Sequence, residues 1–372
     1  MAADRDLCAG LEPGLRFAML ATPSGGYLDL DWAGVRAWRP ADGFLWIHLE
    51  RDDPVAQDWV REQAGLDPLV ALALLADESR PRVEDVDDAL LVVLRGVNKA
   101  RPGEPEPGAL DSELVPIHIW MEATRCISLR DKAHSLTALR DLRLSMLNGK
   151  GPRGAGALMA RIAEKVTDHV GDLVDDLEET ISQLEDQLSE GGPHRLRGAI
   201  ADCRRGVVQV RRYLAPQRDA LYRLRADDAS WLTKRAKTHL REVNDRLSRH
   251  LEDLDEIRAR ASILQEELAA VVAEQTNRNL YILSVVTVIT LPMTFVTGFF
   301  GMNTGGLPFG PDHPQGTLLA AGAILATAGL TALVLRFGLS RAGGVSATGD
   351  PAPPSPDSVS PCSEPSQKDS PR

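Results

Sequence analysis

The chain has 372 residues, 26% charged and 43% hydrophobic, with 42 Lys plus Arg against 53 Asp plus Glu and a net charge of −11. That length fits about two domains, and the mixture excludes a disordered or collagen-like chain. The acidic balance argues against nucleic acid as a partner, because phosphate neutralisation needs a basic surface. Cys8, Cys126, Cys203 and Cys362 form no CxxC pair, so neither a disulfide framework nor a cysteine zinc site is expected.

After an N-terminal tail (1–14), residues 15–148 read as a cytoplasmic α/β domain. FLWIHLE (44–50) predicts a strand, and a helix over Pro54–Ala64 begins behind Asp53. ALLVVLRGV (89–97), VPIHIWM (115–121) and RCISLR (125–130) predict further strands, with RPGEPEPG (101–108) as a turn. The glycines of GKGPRGAG (149–156) mark a boundary, and an acidic and basic helical region (149–232) follows. Ile162, Val166, Val170, Leu173, Leu177, Ile181, Leu184 and Leu188 form a coiled-coil-like seam, and a second helix covers about 194–224. From Asp172 to Glu190 there are eight acids and no base, whereas from Arg195 to Arg249 there are 15 Lys or Arg and six acids. Two compatible readings follow: helix faces that neutralise each other, and an acidic surface that concentrates cations near a pore mouth.

No glycine occurs between Gly206 and Gly298 and no proline between Pro216 and Pro292, so 233–300 predicts one stalk helix about 100 Å long. Its seam continues through Leu240, Val243, Leu247, Leu251, Leu254, Ile257, Leu264, Leu268 and Val271. Its end, LYILSVVTVITLPMTFVTGFF (280–300), matches the hydrocarbon thickness, and 316–335 spans by the same arithmetic. The external loop 301–315 lacks Lys and Arg, while Arg278, Arg336 and Arg341 flank the hairpin. Both termini are therefore expected in the cytoplasm, with two spans crossing the membrane. MAADRDLCAG has no apolar signal region, and the Pro/Ser-rich tail (343–372) is expected to be disordered.

Enzyme signatures are missing: the chain has no P-loop, GxSxG or HExxH, so neither an enzyme nor a bound cofactor is expected. His48 and Glu50 make an HxE pair without the PCxxC partner of a zinc deaminase, and the eight histidines give no i, i+4 pair. His239 and His250 share a helix face that is expected to be solvated. The first span instead carries a stripe of Leu280, Ser284, Thr287, Leu291, Thr294 and Gly298. Its hydroxyls either bond back to backbone carbonyls or line something wet. Two spans per chain are too few to enclose a polar path, so several copies must share it.

Gly301-Met302-Asn303, at the end of the first of two C-terminal spans, resembles the signature of the CorA superfamily of divalent-cation transporters. QTNRNLYILSVVTVITLPMTFVTGFFGMNTGGLP (275–308), RPRVEDVDDALLVVLRGVN (80–98), WIHLERDDP (46–54) and LAPQRD (214–219) are similar to its zinc-linked ZntB-like branch. The resemblance implies a funnel-shaped homopentamer: an α/β domain, long coiled-coil-like helices and a two-span transmembrane α-hairpin. It implies that Asn303 meets the hydrated cation at the outer mouth, that Gly301 permits the turn and that Met302 packs behind it. Ser284, Thr287, Thr294 and Gly298 would line the pore, with Leu280, Leu283 and Leu291 as constrictions. Asp312, with His313 beside it, is the expected external attractor. The implied partners are divalent metal ions, the lipid bilayer and further copies of the chain. Zinc is the expected cargo, with proton-coupled and passive passage both left open; the alternatives are a magnesium or cobalt channel and a non-conducting membrane-anchored scaffold.

Overall fold

The computed structural model of the chain describes residues 12–77, 80–98, 114–131, 137–189, 193–301 and 315–342. Seven strands form one mixed sheet: β1 (Leu15–Ala21), β2 (Tyr27–Asp29), β3 (Phe44–Glu50), β4 (Arg82–Val86), β5 (Ala89–Val97), β6 (Leu114–Met121) and β7 (Arg125–Arg130). Their order is β2-β1-β3-β7-β6-β5-β4. β3 and β7 run parallel, with Trp46 opposite Cys126 and Ile47 opposite Ile127. The other neighbours are antiparallel. The strands predicted at 44–50, 89–97 and 125–130 stand at those bounds, and the one predicted at 115–121 starts one residue earlier. Continuous apolar runs are what a sheet covered on both faces requires.

One face carries Leu45, Ile47, Leu49, Leu91, Ile127 and Leu129, packed under α1 (Trp32–Ala37), α2 (Pro54–Asp58) and α3 (Pro68–Leu75). Each of these short helices starts on an aspartate. Asp31 accepts from the Gly34 N–H at 2.7 Å, and Asp53 and Asp67 accept from Val55 and Leu69 at 2.8 Å. These caps satisfy amides that the first turn leaves unpaired. The helix predicted over Pro54–Ala64 changes pattern halfway, because α2 passes into a π-helical turn at Trp59–Gln63.

The opposite face, with Trp46, Leu90, Val92, Leu94, Ile117 and Ile119, packs against the seams of the long helices. These are α4 (Thr137–Leu147), α5 (Ala155–Ser189), α6 (Pro193–Ala226) and α7 (Lys234–Gly301). The predicted seam is buried from Ile162 to Leu184 and from Leu240 to Leu268; Leu188 and Val271 are half-buried. α6 grips the sheet through LAPQRD: the buried Gln217 accepts from the Arg95 N–H at 2.7 Å, and the Arg95 guanidinium lies 3.7 Å from the Tyr213 ring centre.

The segregated charges do not neutralise each other across α5 and α6. Both helices pair with α7 instead. Glu185 meets Arg260 at 2.6 Å and Asp168 meets Arg246 at 2.6 Å, while Arg211 meets Asp255 at 2.7 Å. His239, expected on a solvated face, is half-buried 3.3 Å from Glu164. His250 packs against Gly171, where an added Cβ would lie 3.1 Å from its ring. The stalk therefore uses its histidines against α5.

Two compact units divide the chain, Met1–Val272 and Ala273–Arg372. The second holds the apolar end of α7 and a helix α8 (Gly316–Ala342). The predicted turn at 101–108 and the Pro/Ser-rich tail lie outside the described residues.

Candidate pore-lining helix

α7 runs without interruption through Gly301, and its apolar part is long enough to cross a membrane. Its surface there has two distinct sides. Val285, Ile289, Pro292, Met293 and Val296 are half-buried, whereas Leu280, Ser284, Thr287, Leu291, Thr294 and Gly298 are exposed. At about 100° per residue the two sets point in opposite directions. The stripe singled out in the sequence lies on the uncovered surface of the helix, which also takes in Tyr281, Val286, Val288 and Phe295; on it Leu280 is 55%, Leu283 62% and Leu291 69% exposed. No atom lies within 4 Å of where a Cβ would stand at Gly298 or Gly301.

Two hydroxyls of this stripe use their protons internally. Thr287 donates to the Leu283 carbonyl at 2.8 Å, and Thr294 donates to the Thr290 carbonyl at 2.9 Å. A hydroxyl that has donated its proton keeps only acceptor lone pairs to offer outward. The water shell of a cation presents its hydrogens outward, so such oxygens suit it, and back-bonding is compatible with a wet surface. No carboxylate lies between Leu280 and Phe300.

Pro292 cannot donate to the Val288 carbonyl, which loses its helical partner. Beside it opens an apolar cavity of about 520 Å³, lined by Leu291, Pro292, Thr294, Phe295, Val296 and Thr327 of α8. In α8 the half-buried residues are Ala323, Ile324, Thr327, Ala328 and Thr331, mostly small, as expected where membrane helices approach closely. An isolated proline within an otherwise apolar run was the signal for this cavity in the sequence.

Met302, Asn303, Asp312 and His313 lie outside the described residues, and Gly301 is the last described residue of α7. Among the described residues no group of three or more His, Cys, Asp or Glu side chains is placed to hold a metal ion. Two aspartates that stand beside another aspartate have structural roles: Asp53, next to Asp52, caps α2, and Asp88, next to Asp87, holds Ser230.

The buried polar groups of the sheet are likewise accounted for by structure. His48 shares Ser128 Oγ with Trp46 Nε1, both at 2.9 Å, while Glu50 pairs with Arg16. Burial, reinforced by Arg130 and Arg16, holds the His48 imidazole well below its ordinary value. His118 Nδ1 donates to the Leu74 carbonyl at 2.9 Å, and burial, with Arg51 nearby, lowers its pKa to about 4. Burial pushes the Cys126 thiol well up, as for a cysteine packed inside the sheet core. Along the stalk, burial raises the Glu164 carboxyl, but hydrogen bonds from Arg161 and His239 outweigh it and hold the group low.

The family model described as CorA-like Mg2+ transporter protein matches residues 41–336. The divalent cation transporter CmaX of Pseudomonas aeruginosa is 38% identical over 282 residues, covering 74% of this chain and 81% of that protein. A full-length CmaX structure superposes with a TM-score of 0.74 over 88% of this chain and 98% of its own, at 35% identity. The zinc transport protein ZntB of Pectobacterium carotovorum is 34% identical over 271 residues, 73% of this chain and 80% of that protein. The CorA magnesium transporter of Methanocaldococcus jannaschii shares the fold at 19% identity, with a TM-score of 0.71 over 86% of this chain and 96% of its own.

Proposed function

The chain belongs to the family of CorA-like Mg2+ transporter proteins and transports divalent cations, and we propose that its cargo is zinc, carried through the central pore of a homopentamer. The observation that carries the pore is the exposed stripe Leu280–Gly298, polar at Ser284, Thr287 and Thr294 and opposite the covered side of α7. Back-bonding satisfies the donors of Thr287 and Thr294, their remaining lone pairs suit a wet lining, and one chain cannot enclose such a path. Further copies complete the wall.

In this reading α8 is the second span, the 301–315 loop is external and both termini are cytoplasmic, in a bacterial cytoplasmic membrane. Asn303 gives a ring of amide and carbonyl oxygens at the outer mouth, with Gly301 as the turn and Met302 behind it. The cation passes largely hydrated, because neutral dipoles and no carboxylates line the first span. Leu280, Leu283 and Leu291 are the narrow apolar points, and Ser284, Thr287, Thr294 and Gly298 line the wider ones. Outside, Asp312 draws cations in.

Zinc is supported by the ZntB relatives and by His313 next to Asp312, since imidazole is a zinc ligand type that magnesium does not favour. A magnesium channel is the second reading, favoured by the family description and by Met302 in the Gly-Met-Asn motif. The test of the pore is Asn303→Ala in proteoliposomes. Divalent-cation flux lost while the oligomer persists supports it. Unchanged flux contradicts the assigned mouth, and no flux from the unaltered protein contradicts transport altogether.

A further inference from the structure

The bundle of α5, α6 and α7 has two flanks of opposite charge. α5 exposes Asp175, Asp176, Glu179 and Asp186 on the side away from its buried seam, and none of them pairs with a cation of α6. The only hydrogen bond to the Glu179 carboxylate comes from Gln183 of its own helix, at 3.1 Å. α6 exposes Arg205, Arg212 and Arg223. Arg205 meets Asp202 and the Ala201 carbonyl of its own helix, with its side chain 77% exposed. Among the described residues, no ion pair joins either flank to another helix of the chain.

The ion pairs with α7 fix the heights of the two flanks. α5 rises with α7, since Asp168 stands beside Arg246 and Glu185 beside Arg260. α6 descends, since Arg211 stands beside Asp255 and Arg204 donates to Gln265. Along these two lines Glu179 is level with Asp255 and Arg212 with Leu254, while Asp186 is level with Ala261 and Arg205 with Leu264, so each pair matches in height to within about 4 Å. Each helix thus presents two charges seven residues apart, two turns on one side, at matching heights.

We propose that the acidic α5 flank of one copy docks on the basic α6 flank of the next, with Glu179 opposite Arg212 and Asp186 opposite Arg205. The occupant is a second copy of this chain. Complementary flanks at equal height are what a head-to-tail ring of parallel copies requires, because each neighbour is related by rotation about one axis. A two-fold dimer would set acid against acid instead. Exposed ion pairs contribute little stability one by one, so their role here is registry: like charges in apposition reject a slipped or reversed neighbour. This inference rests on the pore reading, since it names the contact by which copies share the pore.

The test is cross-linking of the full-length protein in detergent, in a chain whose four native cysteines are replaced by alanine. Glu179→Cys with Arg212→Cys, and Asp186→Cys with Arg205→Cys, are treated with a short bis-maleimide. The expected result is a ladder of covalent species up to the full ring from either double variant. Each single variant gives none, and the out-of-register pair Glu179→Cys with Arg205→Cys gives a yield several-fold lower. Dimers from a single-cysteine chain, or linkage only within one chain, overturn the proposal. Native mass spectrometry of the unmodified protein separates the two levels. A ring without the ladder removes the flank assignment alone, whereas a monomer removes the shared pore with it.

Discussion

Asp88, in the turn between β4 and β5, holds Ser230 just before the start of α7. Its Oδ1 accepts from the Ser230 N–H at 2.7 Å, its Oδ2 accepts the Ser230 hydroxyl, and its own carbonyl accepts from Trp231 Nε1 at 2.9 Å. The edge of the sheet and the foot of the stalk are thereby joined by three bonds from one residue. The foot of the stalk is tied to the sheet there, while the Arg95–Gln217 contact ties α6 to the same sheet.

The Ser230 bonds hold the Asp88 carboxyl below the usual carboxylate range. A lowered acid contributes stability that is present above its unfolded pKa, near pH 4, and that fades as pH falls through the folded value. Asp88→Ala lowers the Tm of the protein at pH 7 more than at pH 3, and Asp88→Asn, which still accepts from the Ser230 N–H, falls between. Equal loss at both pH values would contradict the assignment.

His118 is buried with Nδ1–H bonded to Leu74 and no partner for Nε2. Its pKa falls from 6.5 to about 4, so the unfolded chain binds the proton first as pH drops. Stability tied to this group is complete above pH 6.5 and is lost between there and about pH 4. About 2 kcal/mol of the loss between pH 7 and pH 5 should trace to His118, and His118→Gln should flatten the curve by that amount in denaturant titrations. His48 contributes with the same sign, so the slope does not vanish.

Gly156 of α5 lies against the foot of α7, where an added Cβ would stand 2.8 Å from the Trp231 carbonyl oxygen and 3.2 Å from Ala236 Cβ. A backbone carbonyl cannot step aside as a flexible side chain can. Gly156→Val should cost about 1–3 kcal/mol by overpacking, read as a shift in unfolding midpoint. A neutral result would mean that α5 and α7 approach less closely here.

On the stripe, Thr287→Val keeps shape and removes an acceptor. Loss of one hydrogen bond to the hydrated cation is worth about 1 kcal/mol, so flux should fall about five-fold or more when every copy carries the change. Ile289→Val, on the half-buried side, should leave flux within about two-fold. The reverse pattern would place the pore on the other face of α7.

Most elements were readable because their signals are local. β3, β5 and β7 are apolar runs bounded by polar residues, and the seams of α5 and α7 repeat at helical spacing. β1 and β4 escaped notice for physical reasons. LRFAMLA (15–21) follows the Pro13-Gly14 turn but holds no β-branched residue and reads as helix-forming, and RVEDV (82–86) is an edge strand whose exposed Glu84 and Asp85 hide its pairing with β5. Contacts between distant segments were beyond any periodicity: nothing in the spacing of Asp88 and Ser230, or of Arg95 and Gln217, places them together. The charge segregation was visible, but not that α7 draws off part of it from both α5 and α6 and leaves each flank open. The hydroxyl stripe was readable as a pattern, and its exposure required the structure.

The most direct measurement is uptake by proteoliposomes holding the purified protein, with zinc and magnesium compared across several pH gradients. The account predicts zinc flux that follows an inward proton gradient and collapses in Asn303→Ala. Magnesium flux indifferent to the gradient, with no zinc entry, would contradict the zinc assignment, and no flux of either ion from a confirmed ring would contradict transport through it.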